Sequence, residues 1–179
     1  MNSPRGSNVQ SKLAWVRGAS SGLGRAVALR LGNEGWTDAV SARSAGKLAE
    51  LEALRPGRIF SFPLDVTEQE AVPTTVDRIE QALGQIALAL LSAGSYKRDS
   101  ATRFKGSALA DVMELNVVGT GYCMDAAIPR MVARRAGHTA VIASVAGYVG
   151  LPGGAFYGAP KRLSTSCVRG STPNLSGKA

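Results

Sequence analysis

The chain is poor in the residues that build disulfide frameworks and metal centres. It has two cysteines, Cys123 and Cys167, and a single histidine, His138, among 179 residues. Two cysteines do not make a disulfide framework, and without a C-x-x-C or H-x-x-x-H pattern there is no ligand set for zinc. We therefore predict that the protein binds no metal and that both thiols have no chemical role.

Long hydrophobic runs are also missing. The strongest one, IALALL at 86–91, is far shorter than the roughly 20 apolar residues that a helix needs to cross a bilayer. The N-terminal segment MNSPRGSNVQSK is polar and lacks the apolar centre of a signal peptide. We therefore expect a cytoplasmic protein without a membrane partner.

Acidic residues are too few to balance the basic ones, and the formal net charge is +8. Residues 161–179 hold Lys161, Arg162, Arg169 and Lys178 and no acid, which is +4, while the other 17 basic and 13 acidic residues give the remaining +4. Because no basic helix or basic–aromatic stripe is present, we predict no nucleic-acid partner. A spread excess of this size indicates a solvated surface, or one that attracts a phosphorylated ligand.

What the chain does have is a regular alternation of apolar strands and amphipathic helices. The pattern indicates strands at 12–16, 37–42, 58–66, 86–94 and 138–144. Strands that are apolar on both faces indicate a parallel sheet covered by helices on both sides. With right-handed crossovers this predicts an α/β fold, a doubly wound, three-layer sheet of the Rossmann type, whose ligand site lies at the carboxyl ends of the strands.

The intervening segments have helical spacing. The pattern predicts helices at 25–35, at 45–54, from a capping box at Thr67 and Glu70 to about Leu83, and from about Ala108 to Arg134. Another helix opens at Ala155.

A glycine-rich turn joins the first strand to the first helix. Gly18, Gly22 and Gly24 form G-x-x-x-G-x-G, with Ser20 and Ser21 as additional hydroxyl donors. Glycines allow positive φ and a close approach of a phosphate to the backbone, and the helix N-terminus attracts a pyrophosphate. The alternative is a tight turn with no ligand. The position of the glycine-rich turn, directly between a strand and a helix, favours cofactor binding.

Two charged residues follow the next strands. Arg43 ends the second strand, where an acid would select NAD; an arginine offers a charge-assisted contact to the 2′-phosphate of NADP, unless it is an ordinary exposed residue. Asp65, after the third strand, can accept a hydrogen bond from an adenine amino group or can cap its own turn. Asp38 lies too early in the second strand to be the acid that selects NAD. Arg17, directly before Gly18, has no assigned contact.

With further motifs the chain resembles the short-chain dehydrogenase/reductase family. The matching stretches, in the family's order and spacing, are GASSGLG at 18–24, LDVT at 64–67, SAG at 92–94, LNVVGT at 115–120, IASVAG at 142–147 and YGAPK at 157–161. They cover roughly the first two-thirds of a family member. The resemblance implies catalytic residues Asn116, Ser144, Tyr157 and Lys161. It implies cofactor-binding residues Gly18, Ser20, Ser21, Gly22, Leu23, Gly24, Arg43, Asp65, Val66, Ala93 and Gly94, together with Tyr157 and Lys161.

The chemistry of these residues agrees with that implied role. A free tyrosine has a pKa of about 10, and we expect a Lys161 cation one helical turn from Tyr157 to lower it, so that Tyr157 can exchange a proton with a substrate oxygen. Ser144 would bond the same oxygen, and Asn116 would bind a water that links Lys161 to solvent. Without the family pattern, a Tyr–Lys pair at this spacing is more often helix surface.

The resemblance therefore implies an oxidoreductase that interconverts an alcohol and a carbonyl of a small-molecule substrate. We expect the cofactor to be NADP, because of Arg43, with NAD as the alternative, and the resemblance implies a homo-dimer or tetramer. The alternatives are a nucleotide-binding pseudoenzyme and an inactive fragment of such a reductase.

Three departures from the family pattern stand out. Arg17 replaces the usual threonine, Ser92 replaces an asparagine, and Pro160 precedes Lys161, where it is either tolerated or turns Lys161 away from Tyr157.

After Lys161 the chain is rich in Ser, Thr, Gly and Pro without an apolar stripe. We therefore predict a dinucleotide-binding domain at 1–160 and an aberrant, disordered tail at 161–179. The tail suggests a chain that is truncated or frame-shifted, with a sheet that is incomplete at its C-terminus.

Overall fold

Five parallel strands form one sheet, in the order β3-β2-β1-β4-β5. This is a computed structural model, which describes residues 12–92, 94–96, 102, 104–149, 151 and 153–170. The strands are β1 (Leu13–Arg17), β2 (Thr37–Ser41), β3 (Ile59–Ser61), β4 (Ile86–Leu91) and β5 (His138–Val141). All five overlap segments predicted as strands, and the predicted doubly wound α/β fold is confirmed.

Six α-helices connect and cover the described strands. They are α1 (Gly22–Asn33), α2 (Ala45–Ala53), α3 (Ala71–Leu83), α4 (Gly106–Met113), α5 (Gly119–Ala133) and α6 (Ala155–Gly170). Side chains of α1 and α2 pack with β1, β2 and β3 in one buried cluster, and those of α3 and α5 pack in a second one. The two clusters lie on opposite faces of the sheet, because alternate residues of β1 belong to different clusters. Every residue of β1 is buried, as expected for a central strand.

The third helix begins later than its capping box predicts. Helix α3 starts at Ala71, and the Thr67 hydroxyl donates to the Asp65 carboxylate at 2.8 Å. The Thr67 N–H also donates to Asp65 Oδ1, at 3.1 Å. The Asp65 side chain thus closes a turn before the helix, which is a common competitor of helix initiation.

The predicted long helix is continuous but not uniform. A π-helical segment, Glu114–Val118, separates α4 from α5, and we call it the π-turn. Such segments place one extra residue in a helix and often occur at functional sites. The buried Asn116 is in its centre.

The prediction of a disordered tail from residue 161 is wrong for residues 161–170, which continue α6. The physical reason is tertiary packing. Lys161 and Ser164 are buried, and the Ser164 hydroxyl donates to Pro160 O at 2.9 Å and lies 3.4 Å from Asn116 O. Packing against the π-turn outweighs the weak helix propensity of this serine- and threonine-rich sequence. Residues 171–179 lie outside the described part of the chain.

Within the described residues, no helix has the length and apolar character that a membrane span requires. The same residues contain no group of three His, Cys, Asp or Glu side chains that could hold a metal ion. Cys123 is a free, buried cysteine. Burial raises the pKa of its thiol to about 11, although the Arg17 cation acts in the opposite direction.

Candidate functional site

An open cleft of about 520 Å³ lies at the carboxyl ends of the strands. Residues that follow each strand line it, as the doubly wound topology predicts. From the glycine-rich turn and β2 come Arg17, Gly18, Ser20, Ser21, Gly22, Leu23, Gly24, Ser41, Ala42, Arg43 and Ser44. From the later segments come Leu64, Asp65, Val66, Ser92, Gly94, Ser95, Tyr96, Leu115, Ile142, Tyr157 and Lys161.

The glycine-rich turn has the geometry of an anion cradle. Gly18 adopts φ +82°, a conformation that side chains disfavour. Gly24 is buried so tightly that a Cβ there would lie 2.4 Å from Gly18 O and 2.5 Å from Ser92 Oγ. Helix α1 begins within this turn, and its N-cap residue, Ser21, makes no capping bond with its own side chain. The first N–H groups of α1 therefore face the cleft without a side-chain cap, which suits a pyrophosphate.

Arg43 and Asp65 border the same cleft from β2 and β3. Arg43 is exposed and follows the end of β2 by two residues. Asp65 uses Oδ1 to bond the Thr67 N–H and hydroxyl, so the capping alternative is observed.

Arg17 lies under the cleft with its guanidinium buried. Nη1 donates to Thr120 Oγ1 at 2.8 Å and Nη2 donates to Leu115 O at 2.9 Å, so this side chain links the end of β1 to the π-turn and α5. Burial lowers the pKa of Arg17, and the electrostatic influence of Cys123 and Asp65 opposes that change. The residue that the sequence left without a contact is thus a structural tie beneath the site.

Tyr157 and Lys161 come together in the cleft, one turn apart on α6. Lys161 Nζ lies 5.6 Å from the centre of the Tyr157 ring and donates to Ile142 O at 2.5 Å. Burial, and then repulsion by Arg17, lowers the pKa of Lys161. Pro160 is accommodated inside α6 without turning Lys161 away.

Ser144 is the N-cap of a short 3-10 helix, Val145–Gly147. Its hydroxyl accepts a hydrogen bond from the Ala146 N–H at 3.2 Å. This segment packs directly on α6, since a Cβ on Gly158 would lie 2.7 Å from Ala146 O. Ser144 is not one of the described residues that line the cleft, and its hydroxyl is bonded within its own turn.

The Asn116 side chain bonds the backbone of Ser95, and the water that it would bind for Lys161 stays a prediction. Its Oδ1 accepts from the Ser95 N–H at 2.8 Å, and its Nδ2 donates to Ser95 O at 3.0 Å. Its own carbonyl accepts from the Thr120 hydroxyl at 2.8 Å. Asn116 therefore clamps the segment after β4 to the π-turn.

Most predicted cofactor residues lie in one place. Gly94 and Val66 line the cleft with the glycine-rich turn, whereas Ala93 lies outside the described residues. Sequence reasoning missed Ser92, whose hydroxyl donates to Arg17 O at 2.7 Å and ties β4 to β1. It also missed Tyr96. No motif contains this residue, but its position just after the end of a strand was a signal that it lines the site.

Comparison with known proteins agrees with this arrangement. A family model described as short chain dehydrogenase matches residues 12–175. An uncharacterized oxidoreductase of Staphylococcus saprophyticus is 30% identical over 171 residues, which are 93% of this chain and 73% of that protein. A 3-oxoacyl-(acyl-carrier-protein) reductase of Staphylococcus aureus is 32% identical over 155 residues, covering 84% of this chain and 63% of that protein.

The fold also matches that of solved structures. The crystal structure of a short chain dehydrogenase/reductase from Burkholderia phymatum, in complex with NAD, superposes with a TM-score of 0.85 at 26% identity. The match covers 89% of this chain and 58% of that one, so the chain spans less than two thirds of this relative. The sequence match, the parallel sheet and the cleft at its carboxyl edge lead to one conclusion: the chain belongs to the short-chain dehydrogenase/reductase family.

Proposed function

We propose that the chain binds a nicotinamide dinucleotide in the cleft and interconverts an alcohol and a carbonyl. When bound, the dinucleotide would supply or accept the hydride. The observation that carries this proposal is the position of Tyr157 and Lys161 in the same cleft as the glycine-rich turn. A phosphate cradle and a proton donor in one cleft suit a dinucleotide whose reactive ring lies beside a substrate oxygen.

The cradle residues support dinucleotide binding, and Arg43 supports a preference for NADP. Gly18 and Gly24 keep side chains away from the N-terminus of α1, where a pyrophosphate would bind. Arg43 is exposed at the cleft and offers a charge-assisted hydrogen bond to a 2′-phosphate. Asp65 has Oδ2 as a remaining acceptor for an adenine amino group, because its bonds to Thr67 use Oδ1. The relative from Burkholderia phymatum was crystallised with NAD, so NAD stays an alternative.

Tyr157 would move the proton. Its hydroxyl donates to the carbonyl oxygen as the alcohol forms, and accepts the proton in the reverse direction. The Lys161 cation lies close to the tyrosine ring and would stabilise the tyrosinate. Because Lys161 also donates to Ile142 O, its ammonium group is held in place between β5 and α6.

Ser144 and Asn116 would have supporting roles. If the Ser144 hydroxyl leaves its bond with the Ala146 N–H or shares it, it can bond the substrate oxygen together with Tyr157. Asn116 acts as a positioning residue, because both ends of its amide hold the Ser95 backbone at the edge of the cleft.

A nucleotide-binding protein without turnover is the second candidate. It is favoured by the position of Ser144, which is not among the described residues that line the cleft. This candidate predicts dinucleotide binding with no oxidation of the reduced form by any carbonyl compound.

The test is the substitution Tyr157→Phe in the whole chain. It keeps the ring and removes the hydroxyl, so carbonyl-dependent oxidation of NADPH should fall at least about 100-fold while NADPH binding is unchanged. Tyr122→Phe, on a partly buried tyrosine that packs on the core under α5, is the matched control and should keep full activity. Equal activity of Tyr157→Phe and wild type would contradict the role of Tyr157.

A further inference from the structure

Tyr96 lies beside Tyr157 at the mouth of the cleft, on the segment that follows β4. The two ring centres are 5.4 Å apart and the ring planes meet at 84°, an edge-to-face pair. The Tyr96 hydroxyl donates to Gly153 O at 3.3 Å, just before α6. Tyr96 is 59% exposed. Its ring nevertheless contacts Tyr157, and its hydroxyl is bonded to Gly153 O.

The backbone beside Tyr96 is fixed as well. The neighbouring residue, Ser95, exchanges two hydrogen bonds with the Asn116 amide, at 2.8 and 3.0 Å. Asn116 is buried in the π-turn. A ring attached to a clamped backbone and held at its hydroxyl is preorganised, so a ligand that contacts it gives up little conformational entropy.

The reach of a substrate places part of it against this ring. A carbonyl oxygen that bonds the Tyr157 hydroxyl lies within about 3 Å of it, and a six-membered ring on the carbonyl carbon extends several ångströms further. Tyr96 is close enough to Tyr157 to contact such a substituent.

Apolar and aromatic residues line this end of the cleft, together with the polar residues Ser92, Ser95 and Lys161. Tyr96, Leu115, Ile142 and Tyr157 line it, whereas the exposed cation Arg43 lies at the other end, beyond the glycine-rich turn. The nearby ammonium of Lys161 already donates to Ile142 O. This arrangement suits a neutral, flat substituent better than an acidic one.

We propose that Tyr96 is a specificity-determining residue, which favours carbonyl compounds that carry an aromatic ring on the carbonyl carbon. This inference rests on the proposed function, since it takes Tyr157 as the group that binds the carbonyl oxygen. Aromatic pairs gain stability beyond the area that they bury, through the attraction of ring edges to ring faces. We therefore expect about a 5- to 10-fold preference for an aromatic ring over a saturated ring of the same size.

The experiment compares the binding of two ketones that differ only in the saturation of the ring. Acetophenone and cyclohexyl methyl ketone are titrated into the whole chain saturated with NADP⁺, which cannot reduce them, and dissociation constants are read by ligand-observed NMR. Wild type should bind acetophenone about 5- to 10-fold more tightly. Tyr96→Phe should keep the preference, because it loses only the bond to Gly153 O. Tyr96→Leu should bring the two constants together.

Phe104→Leu is the control for general loss of aromatic surface. Phe104 is an exposed aromatic residue too, but its ring packs on Phe156 at 4.8 Å and does not line the cleft. Its substitution should leave the preference unchanged. Retained NADP⁺ binding verifies that each variant is folded.

Three results would overturn the proposal: equal binding of both ketones to wild type, no binding of either, or an unchanged preference in Tyr96→Leu. The proposed function is tested separately, by turnover with NADPH. Selective ketone binding without turnover would contradict that function and leave the assignment of Tyr96 in place. Turnover with an unchanged preference in Tyr96→Leu would contradict the assignment alone.

Discussion

Two buried charges lie on neighbouring strands but at opposite ends of them. Arg17 is the last residue of β1, at the edge with the cleft, and it bonds Thr120 and Leu115 O. Asp38 is near the start of β2, beneath Gly32 of α1 and next to Ile59 of β3. Neither oxygen of its carboxylate has a hydrogen-bond partner among the described residues. Both side chains are almost inaccessible to solvent, yet only the one at the cleft is integrated into a polar network.

The difference shows where this fold tolerates polarity. At the carboxyl edge, the Leu115 carbonyl of the π-turn and the Thr120 hydroxyl of α5 supply partners for a buried cation. At the opposite end, the helices pack on the strands with apolar side chains, so a carboxylate there is desolvated without compensation. Burial accordingly raises the pKa of Asp38 to about 7.

The largest expected effect is at Asp38. The Asp38 carboxyl group has a pKa of 3.8 in the unfolded chain and about 7 in the folded one, so below pH 4 its ionisation does not lower the free energy of unfolding. Its penalty grows between about pH 4 and 7 and is constant above that, where it reaches about 4 kcal/mol. The free energy of unfolding of wild type should therefore fall by this amount relative to Asp38→Asn as the pH rises from 4 to 8. Urea unfolding at several pH values measures it.

Asp125→Asn is the matched control for Asp38, because Asp125 is exposed on α5. Its pH dependence should match wild type. If the free energy of unfolding of Asp38→Asn has the same pH dependence as that of wild type from pH 4 to 8, the Asp38 carboxyl group is not desolvated. The contrast drawn between the two ends of the strands would then be wrong.

Helix α1 allows the same comparison with one substitution at each of its ends. Gly24→Ala puts a methyl group 2.4 Å from Gly18 O at the cleft, so it should cost about 3 kcal/mol of stability and abolish NADPH binding. Gly32→Ala meets Asp38 Oδ2 at 3.5 Å, an ordinary contact, and should stay within about 1 kcal/mol of wild type. Thermal unfolding and calorimetric titration with NADPH measure the two effects. Equal behaviour of the two variants would show that the turn at Gly24 is not closely packed.

The smallest effect concerns the influence of Arg17 on Lys161. Burial and repulsion by Arg17 lower the pKa of Lys161, so Arg17→Gln should raise that pKa while burial keeps it below its ordinary value. NMR titration of ¹³C-dimethylated lysines in the whole chain follows the change, with the exposed Lys47 as an internal reference. An unchanged or lower pKa of Lys161 in Arg17→Gln would show that the two cations do not interact.

The sequence predicted what depends on local pattern. The strands, the doubly wound parallel sheet, the cleft and the pairing of Tyr157 with Lys161 follow from apolar periodicity, the glycine spacing and the family motifs. Contacts between distant segments were beyond it. Arg17 and Thr120 are 103 positions apart, so no local pattern links them. The tail was misjudged for the same reason, because Ser164 is stabilised by its position under the π-turn and not by its neighbours in the chain.

The most direct test of the central claim is the unfolding temperature of the 179-residue chain, alone and with millimolar NADPH or NADH. If the cleft binds a dinucleotide and Arg43 contacts a 2′-phosphate, a single cooperative transition should rise more with NADPH than with NADH. In Arg43→Ala the difference between the two nucleotides should vanish, whereas Arg58→Ala, directly before the amino end of β3 and not among the residues that line the cleft, should retain it. A transition that neither nucleotide shifts would contradict the account.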